Sequence, residues 1–238
     1  YSAAWIDCLK KGAHFGRGIL MLGEHAQITG LNDQQRQHPL LVRKRSPIPF
    51  PFNLPSWLLN PLTVRGFNQL YYSKNFKKEK SSVVSFESFL YPLDAVPHWN
   101  RAYGKKGFVQ YQFVLPLNAR AGLVEIMNRI GDRGLASFLA VLKVFGKQES
   151  IISFPKEGYT LALDFPVSPD LFPFLDELDR IVLRWGGRLY LSKDARMKPE
   201  ILQNGYPGLD KFRDIVRRYN PDNRICSMQS ERLFLTGN

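Results

Sequence analysis

The 238 residues are 44% hydrophobic and carry 33 Lys+Arg against 21 Asp+Glu, a net charge of +12. Such a chain is long and apolar enough for one large or two small domains with a proper core, which excludes wholesale disorder. The positive balance favours anionic partners (nucleic acid, a phosphorylated substrate or anionic lipid headgroups) without choosing among them.

No run approaches the roughly 20 apolar residues that a spanning helix needs, and no signal-peptide pattern opens the chain. The first residue is Tyr1, and Ser2 to Leu9 already reads as structure. A piece of a longer chain, or a processed product, is therefore expected. Cys8 and Cys226 cannot build a disulfide framework, and neither they nor the scattered His14, His25, His38 and His98 have metal-ligand spacing. No metal is expected.

In chain order, "SAAWIDCL" and "GILML" are strand-like. The segment "GRGILMLG" superficially matches a dinucleotide loop, but its third glycine is misplaced and "ILML" reads as strand where a helix should open. Next comes "RKRSPIPFPFNLPSWLLNPL", whose prolines at 47, 49, 51, 55 and 61 predict an extended loop. Its many apolar residues suit either a loop packed on its own domain or a flap over an apolar ligand or membrane interface. "SKNFKKEKSS" follows as a solvated stretch with Lys74, Lys77, Lys78 and Lys80.

From Phe108 the pattern is regular. "FVQYQFVLP" is a strand, and "NARAGLVEIMNRIG" a helix capped by Asn118 with Leu123, Ile126, Met127 and Ile130 on one stripe. "LASFLAVLKVFG" and "YTLALDFPV" are the second and third strands. "SPDLFPFLDELDRIVLRWGG" is a second helix stopped by Gly186 and Gly187, and "RLYLS" is a fourth strand ending near Lys193. The order β-α-β-β-α-β predicts an α+β fold: a ferredoxin-like antiparallel sheet with both helices on one face, plus irregular loops.

Alternation divides each strand into two faces. Val109, Tyr111, Phe113, Leu115, Phe138, Ala140, Leu142, Val144, Leu161, Leu163, Phe165, Leu189 and Leu191 form the helix-facing side. The other side mixes Gln110, Gln112, Lys143, Phe145, Thr160, Ala162, Asp164, Arg188 and Tyr190, with Lys193 just beyond. That mixture suits a surface covered by a ligand or another domain, with a partly solvated sheet as the competing reading. RNA binding is disfavoured, because Thr160, Ala162 and Asp164 stand where the central strand would need stacking aromatics.

Taken together, "AAWIDCL" with "GRGILMLGEHA", "YPLDAVPHWNRAYGKKGFVQYQFVLP", "LAVLKVFG", "SFPKEGYTLALDFP", "LDELDRIVLRWGGRLYLSKDAR" and "RYNPDNRICSMQSERL" resemble the C-terminal portion of one family. It is the decaprenylphosphoryl-β-D-ribose oxidase family of FAD-linked oxidases, of the vanillyl-alcohol-oxidase fold. The resemblance implies that the pyrophosphate-holding half of the FAD domain lies upstream. It divides the chain into 1–42, the start of the substrate domain; 43–82, a proline-rich and basic loop region; 83–193, the substrate-binding α+β domain; and 194–238, a segment returning to the FAD domain.

The implied reaction is FAD-dependent oxidation of the C2 hydroxyl of a polyprenyl-phosphoryl ribose to a 2-keto intermediate. A partner keto-reductase would complete epimerisation to arabinose for cell-wall biogenesis. The family's Y-x-x-K-D run matches Tyr190 and Lys193, so the resemblance implies Tyr190 as a flavin contact and Lys193 as the catalytic lysine between flavin and substrate. It implies Lys143 and Gln112 as lining the sugar-phosphate pocket with Gln110 and Phe145 beside them, and Thr160 and Ala162 as further substrate-binding positions. Mycobacterial members of the family carry an asparagine near Thr160 and a cysteine at Ala162, so sugar contacts here are expected to differ. A peripheral membrane association, in the envelope or cytoplasm, is also implied. The alternatives are a related oxidase of a free sugar, alditol or sugar lactone, and a basic module binding nucleic acid or membrane without flavin. For Lys193 the competing reading is a solvent-facing lysine paired with Asp194.

Overall fold

The computed structural model describes residues 1–41, 49–75, 77–135, 137, 139–148 and 150–236. Pro47, Ile48, Phe138 and the boundary expected at residues 42–43 lie outside the described residues. Strands β1 (Ser2–Ile6), β2 (Gly18–Leu22), β3 (Phe108–Leu115), β4 (Ala140–Phe145), β5 (Gly158–Pro166) and β6 (Arg188–Leu189) form one antiparallel sheet in the order β2-β1-β4-β5-β3-β6. Four of them, β4-β5-β3-β6, reproduce the ferredoxin-like order, with β6 at the sheet edge; the β1–β2 hairpin extends the sheet beyond β4. The helices are α1 (Asp33–Gln37), α2 (Pro61–Ser73), α3 (Phe86–Leu90), α4 (Arg120–Arg133), α5 (Leu171–Arg184), α6 (Pro199–Gly205), α7 (Leu209–Tyr219) and α8 (Met228–Arg232).

Burial follows the alternation. Tyr111, Phe113 and Leu115 of β3 and Leu161, Leu163 and Phe165 of β5 pack with the stripe Leu123, Ile126, Met127 and Ile130 of α4 and with Leu171, Leu175, Leu178 and Val182 of α5. Each fully buried Leu, Ile or Phe contributes on the order of 1.5–3 kcal/mol, so this layer dominates stability. The same core takes in Met197, Ile201, Leu202, Tyr206, Leu209 and Leu233, so residues after 193 close over the α5–β6 end of the domain. Val144, expected in the core, is exposed because it lies beyond Val141 and Leu142, the stretch of β4 that β1 covers.

Glycine is required where strands crowd. A Cβ on Gly158 would stand 2.0 Å from the Leu115 carbonyl oxygen, across the β3–β5 ladder. Gly158→Ala is therefore expected to cost more than about 2 kcal/mol, read as a lowered denaturation midpoint of the natural protein. An unchanged midpoint would refute that crowding. Gly186, at φ +69°, is the left-handed residue that ends α5.

Three local expectations need correction. Asn118 does not cap α4; a 3-10 turn over Leu117–Ala119 leads into it and no side chain serves as cap. Residues 43–82 are not loop throughout, because α2 occupies Pro61–Ser73. Pro61 sits at its first position, where no N–H is needed, and the Asn60 side chain accepts from Leu62 N at 2.8 Å and Thr63 N at 3.1 Å. Buried Val64 and an Asn68-to-Asp7 hydrogen bond of 2.8 Å dock α2 on the β1–β2 hairpin, where Arg17 also pairs with Asp7.

The fourth core strand is also shorter than "RLYLS" suggested. After Leu189 the ladder continues through Tyr190 N, which donates to Gln112 O at 2.9 Å. The chain then turns through a 3-10 segment, Leu191–Lys193, closed by Lys193 N on Tyr190 O at 3.0 Å and Asp194 N on Leu191 O at 3.1 Å; just beyond it the Asp194 carboxylate accepts from Arg196 N at 2.8 Å and Met197 N at 2.6 Å.

Candidate functional site

The sheet face opposite α4 and α5 is organised in rows by strand register. One row runs Lys143, Thr160, Val114, Arg188. The next runs Val141, Ala162, Gln112 and, through its hydrogen bond to Gln112, Tyr190. A third pairs Asp164 with Gln110. Gln110, Gln112, Lys143, Phe145, Thr160, Ala162 and Tyr190 thus share the face opposite α4 and α5, whose β1 end α2 covers with Tyr71 against Trp5, ring centroids 4.9 Å apart.

Two loops frame this face, on which Val114, Thr160 and Asp164 are fully buried. At one end the turn Trp99–Tyr103 lays the Tyr103 ring on Phe108, with centroids 4.2 Å apart. At the other end Phe154 stacks on Tyr190 at 4.4 Å and meets Phe145 edge-on at 5.8 Å. Arg188 Nη1 to Ser153 O (2.7 Å) and Lys156 Nζ to Gly186 O (3.0 Å) pin that loop. Between the loops Gln110, Gln112, Ala162 and Tyr190 are half-buried, and Lys143 is exposed.

The early end of β6 creates a cleft. Where β6 leaves β3, the strand edge from Val109 to Gln112 faces the returning segment Lys193–Met197 across a shallow solvent-open gap, with Leu175, Leu189 and Tyr190 beside it. Lys193 thus closes a 3-10 turn at the cleft rim instead of ending a strand. Its expected competitor, a pair with Asp194, does not form. Asp194 accepts from Arg232 at 2.7 Å and Gln229 at 3.2 Å, as well as from the two backbone amides already named. Burial alone would raise the Asp194 carboxyl, but the Arg232 guanidinium and these amides hold it below the usual carboxylate range. Among the described residues Lys193 has no salt bridge.

Asp164 is the member of the site that the sequence reading left unassigned. It is fully buried beneath the same face, accepting from Gln110 Nε2 at 2.8 Å and from the Tyr103 hydroxyl at 3.3 Å. Burial pushes its carboxyl up to about 6 against the opposing pull of those two donors and of Lys193. The Tyr103 phenol is pushed up in turn, by burial first and then by the Asp164 charge. Gln112 Nε2 donates to Thr160 Oγ1 at 3.1 Å. The only available sequence signal was a lone acid inside the otherwise apolar "YTLALDFP".

These groups suit a neutral polyol bearing an anionic substituent: amides and hydroxyls for its oxygens, an exposed ammonium for its charge. An aromatic ring and a second ammonium at the rim fit a flavin, because Tyr190 offers an apolar edge and Lys193 a cation not committed to any salt bridge among the described residues. Tyr190 and Lys193 are thus the residues here able to hold such a group.

No family model matches the chain. It is 36% identical over 236 residues to decaprenylphosphoryl-beta-D-ribose oxidase of Mycolicibacterium smegmatis, an alignment covering 99% of this chain and 51% of the relative. It is 29% identical over 243 residues to an uncharacterized protein in the mprA 5′ region of Streptomyces coelicolor, covering 99% of this chain and 66% of that protein. The chain therefore spans roughly half to two-thirds of the length of these curated relatives.

Proposed function

From this similarity to a sugar-lipid oxidase we propose that the chain forms the substrate-facing part of an FAD-dependent oxidoreductase. Its reaction oxidises the C2 hydroxyl of a polyprenyl-phosphoryl ribose to a 2-keto sugar, which a separate keto-reductase takes to the arabinose epimer. The observation that carries this reading is the 36% identity over 99% of the chain to the decaprenylphosphoryl-ribose oxidase. The geometry supports it by gathering amides, an ammonium and an aromatic rim on one sheet face.

A bound flavin supplies the two-electron acceptor. The chain's own residues do the remaining work. Lys143 offers its ammonium to the phosphate, while Gln110 and Gln112 hold sugar hydroxyls without adding charge. Tyr190 and Lys193 hold the cofactor edge, and the Lys193 charge favours the electron-rich product state. Trp57, Leu62 and Leu70 are each more than 70% exposed, and Arg65, Lys74, Lys77 and Lys78 lie close to them in sequence. This combination suits a polyprenyl tail at an anionic bilayer surface. Among the described residues no helix is long and apolar enough to cross a membrane.

The test is anaerobic mixing of the natural protein, loaded with FAD, with polyprenyl-phosphoryl ribose and separately with free ribose, alditols and sugar lactones. Bleaching of the flavin by the lipid-linked sugar is expected. Bleaching only by free sugars, alditols or lactones would transfer the chain to a different oxidase. A protein that stays colourless with added FAD would overturn the flavoenzyme reading altogether.

A further inference from the structure

Gln110 and Gln112 stand two residues apart on β3 and look equivalent in sequence, but their partners on β5 differ in kind. Each spends its amide nitrogen on β5: Gln110 Nε2 on Asp164 Oδ1 at 2.8 Å, Gln112 Nε2 on Thr160 Oγ1 at 3.1 Å. Neither carbonyl oxygen Oε1 has a partner among the described residues, and with each nitrogen turned to β5 the strand stretch that carries both residues borders the cleft on its other edge. A hydroxyl can donate as well as accept, so Thr160 permits either orientation of the Gln112 amide. An ionised carboxylate can only accept, so Asp164 permits just one orientation of Gln110.

We infer that Asp164 is a positioning residue that locks Gln110 with its carbonyl oxygen toward the cleft, so that this subsite selects a ligand group that donates a hydrogen bond, a hydroxyl, over an acceptor-only carbonyl. The inference deepens the proposed function and rests on it for the identity of the ligand. A sugar alcohol satisfies the Gln110 oxygen. The ketone formed from it, or a lactone, leaves that oxygen facing another acceptor. A site built to pair a hydroxyl penalises an analogue that cannot pair, because the buried polar group is then left unsatisfied. The subsite would thereby favour the reduced substrate and loosen on the oxidised product.

The lock has a pH dependence. The groups facing the Asp164 carboxylate are Gln110 from β3, Tyr103 from the Trp99–Tyr103 turn, and Lys193 from beyond β6; Ser137 accepts from its backbone N–H. When Asp164 is protonated it can donate to Gln110 Oε1, and the amide is free to reverse. Because burial lifts this carboxyl to about 6, the lock holds above that pH and slackens below it.

The test uses the natural protein. With selective ¹⁵N labelling of glutamine, the Gln110 side-chain amide signal is expected to shift as pH crosses about 6, and to lose that titration in Asp164→Asn. In steady-state kinetics Asp164→Asn is expected to raise KM for the alcohol at least about tenfold with far less change in kcat, and to tighten inhibition by the ketone. In a Gln110→Ala background the same substitution should add almost nothing, because Asp164 acts through that amide. A Gln110 signal indifferent to pH would overturn the inference, as would an Asp164→Asn effect undiminished by Gln110→Ala. Should the protein oxidise no polyprenyl-phosphoryl sugar, the proposed function fails separately. The amide titration then decides the lock by itself, as it also does if the variant does not fold.

Discussion

Lys193→Ala in the natural protein is expected to slow substrate-driven flavin reduction by at least about a hundredfold, the scale seen when one preorganised electrostatic group is removed from an active site. The structural reason is that this ammonium is held at the rim of a cleft by a 3-10 turn and has no salt bridge among the described residues. Asp194, its neighbour in sequence, is consumed by Arg232, Gln229 and two backbone amides. Removing an exposed lysine without a salt bridge should move stability by no more than about 0.5 kcal/mol. Stopped-flow reduction together with thermal unfolding separates the two quantities. Near-normal reduction would show that the ammonium serves no reacting group, and a collapse of stability would make it a structural cation instead.

Arg196→Leu should have the opposite profile, a large loss of stability centred on the core. Arg196 holds Asp179 through two bonds of 2.8 Å and Asp176 through one of 2.5 Å, while the Tyr111 hydroxyl donates to Asp179 at 3.0 Å. Asp179 is fully buried, so the variant strands a charge in the core, which typically costs about 3–5 kcal/mol. Burial already lifts the Asp179 carboxyl above its ordinary value, against the pull of Arg196. Without Arg196 it rises further. A carboxyl raised in the folded state favours folding below its unfolded pKa, near ~4, and that advantage is lost as pH climbs through the folded value. The denaturation deficit of Arg196→Leu should thus be largest near neutrality and shrink toward pH ~4. Adding Asp179→Asn should recover part of it. An equal deficit at both pH values would mean that lost packing, not the stranded charge, dominates.

What the sequence disclosed followed from short-range periodicity. Alternation in "FVQYQFVLP" and "YTLALDFP" placed Phe113, Leu161 and Leu163 in the core, and the stripe Leu123, Ile126, Met127 and Ile130 set the helix-facing layer. From these the ferredoxin-like strand order is almost forced. What it concealed depended on partners far along the chain. The turn that follows β6 is held by the Asp194 carboxylate, and that carboxylate is denied to Lys193 by Arg232, 38 residues away. Asp164 joins the site through Tyr103, 61 residues upstream. In α2 the error was local: proline density reads as loop, yet Pro61 stands at the one helical position where proline is favoured, with Asn60 capping it.

The same distinction explains the candidate site. Gln110, Gln112, Lys143, Thr160, Ala162 and Tyr190 could be placed on one face from alternation alone, and register then aligned them into rows. The cleft itself could not be foreseen, because it exists only where β6 leaves β3 two residues after it begins.

The most direct measurement is a crystal structure of the natural protein with FAD and a ribose phosphate bound. The flavin ring is expected beside Tyr190 with Lys193 Nζ in hydrogen-bond contact with it, and the sugar is expected over Gln110 and Gln112. A flavin bound elsewhere, with the Gln110–Tyr190 face buried under other protein or open to bulk water, would contradict the assignment of this face as the site.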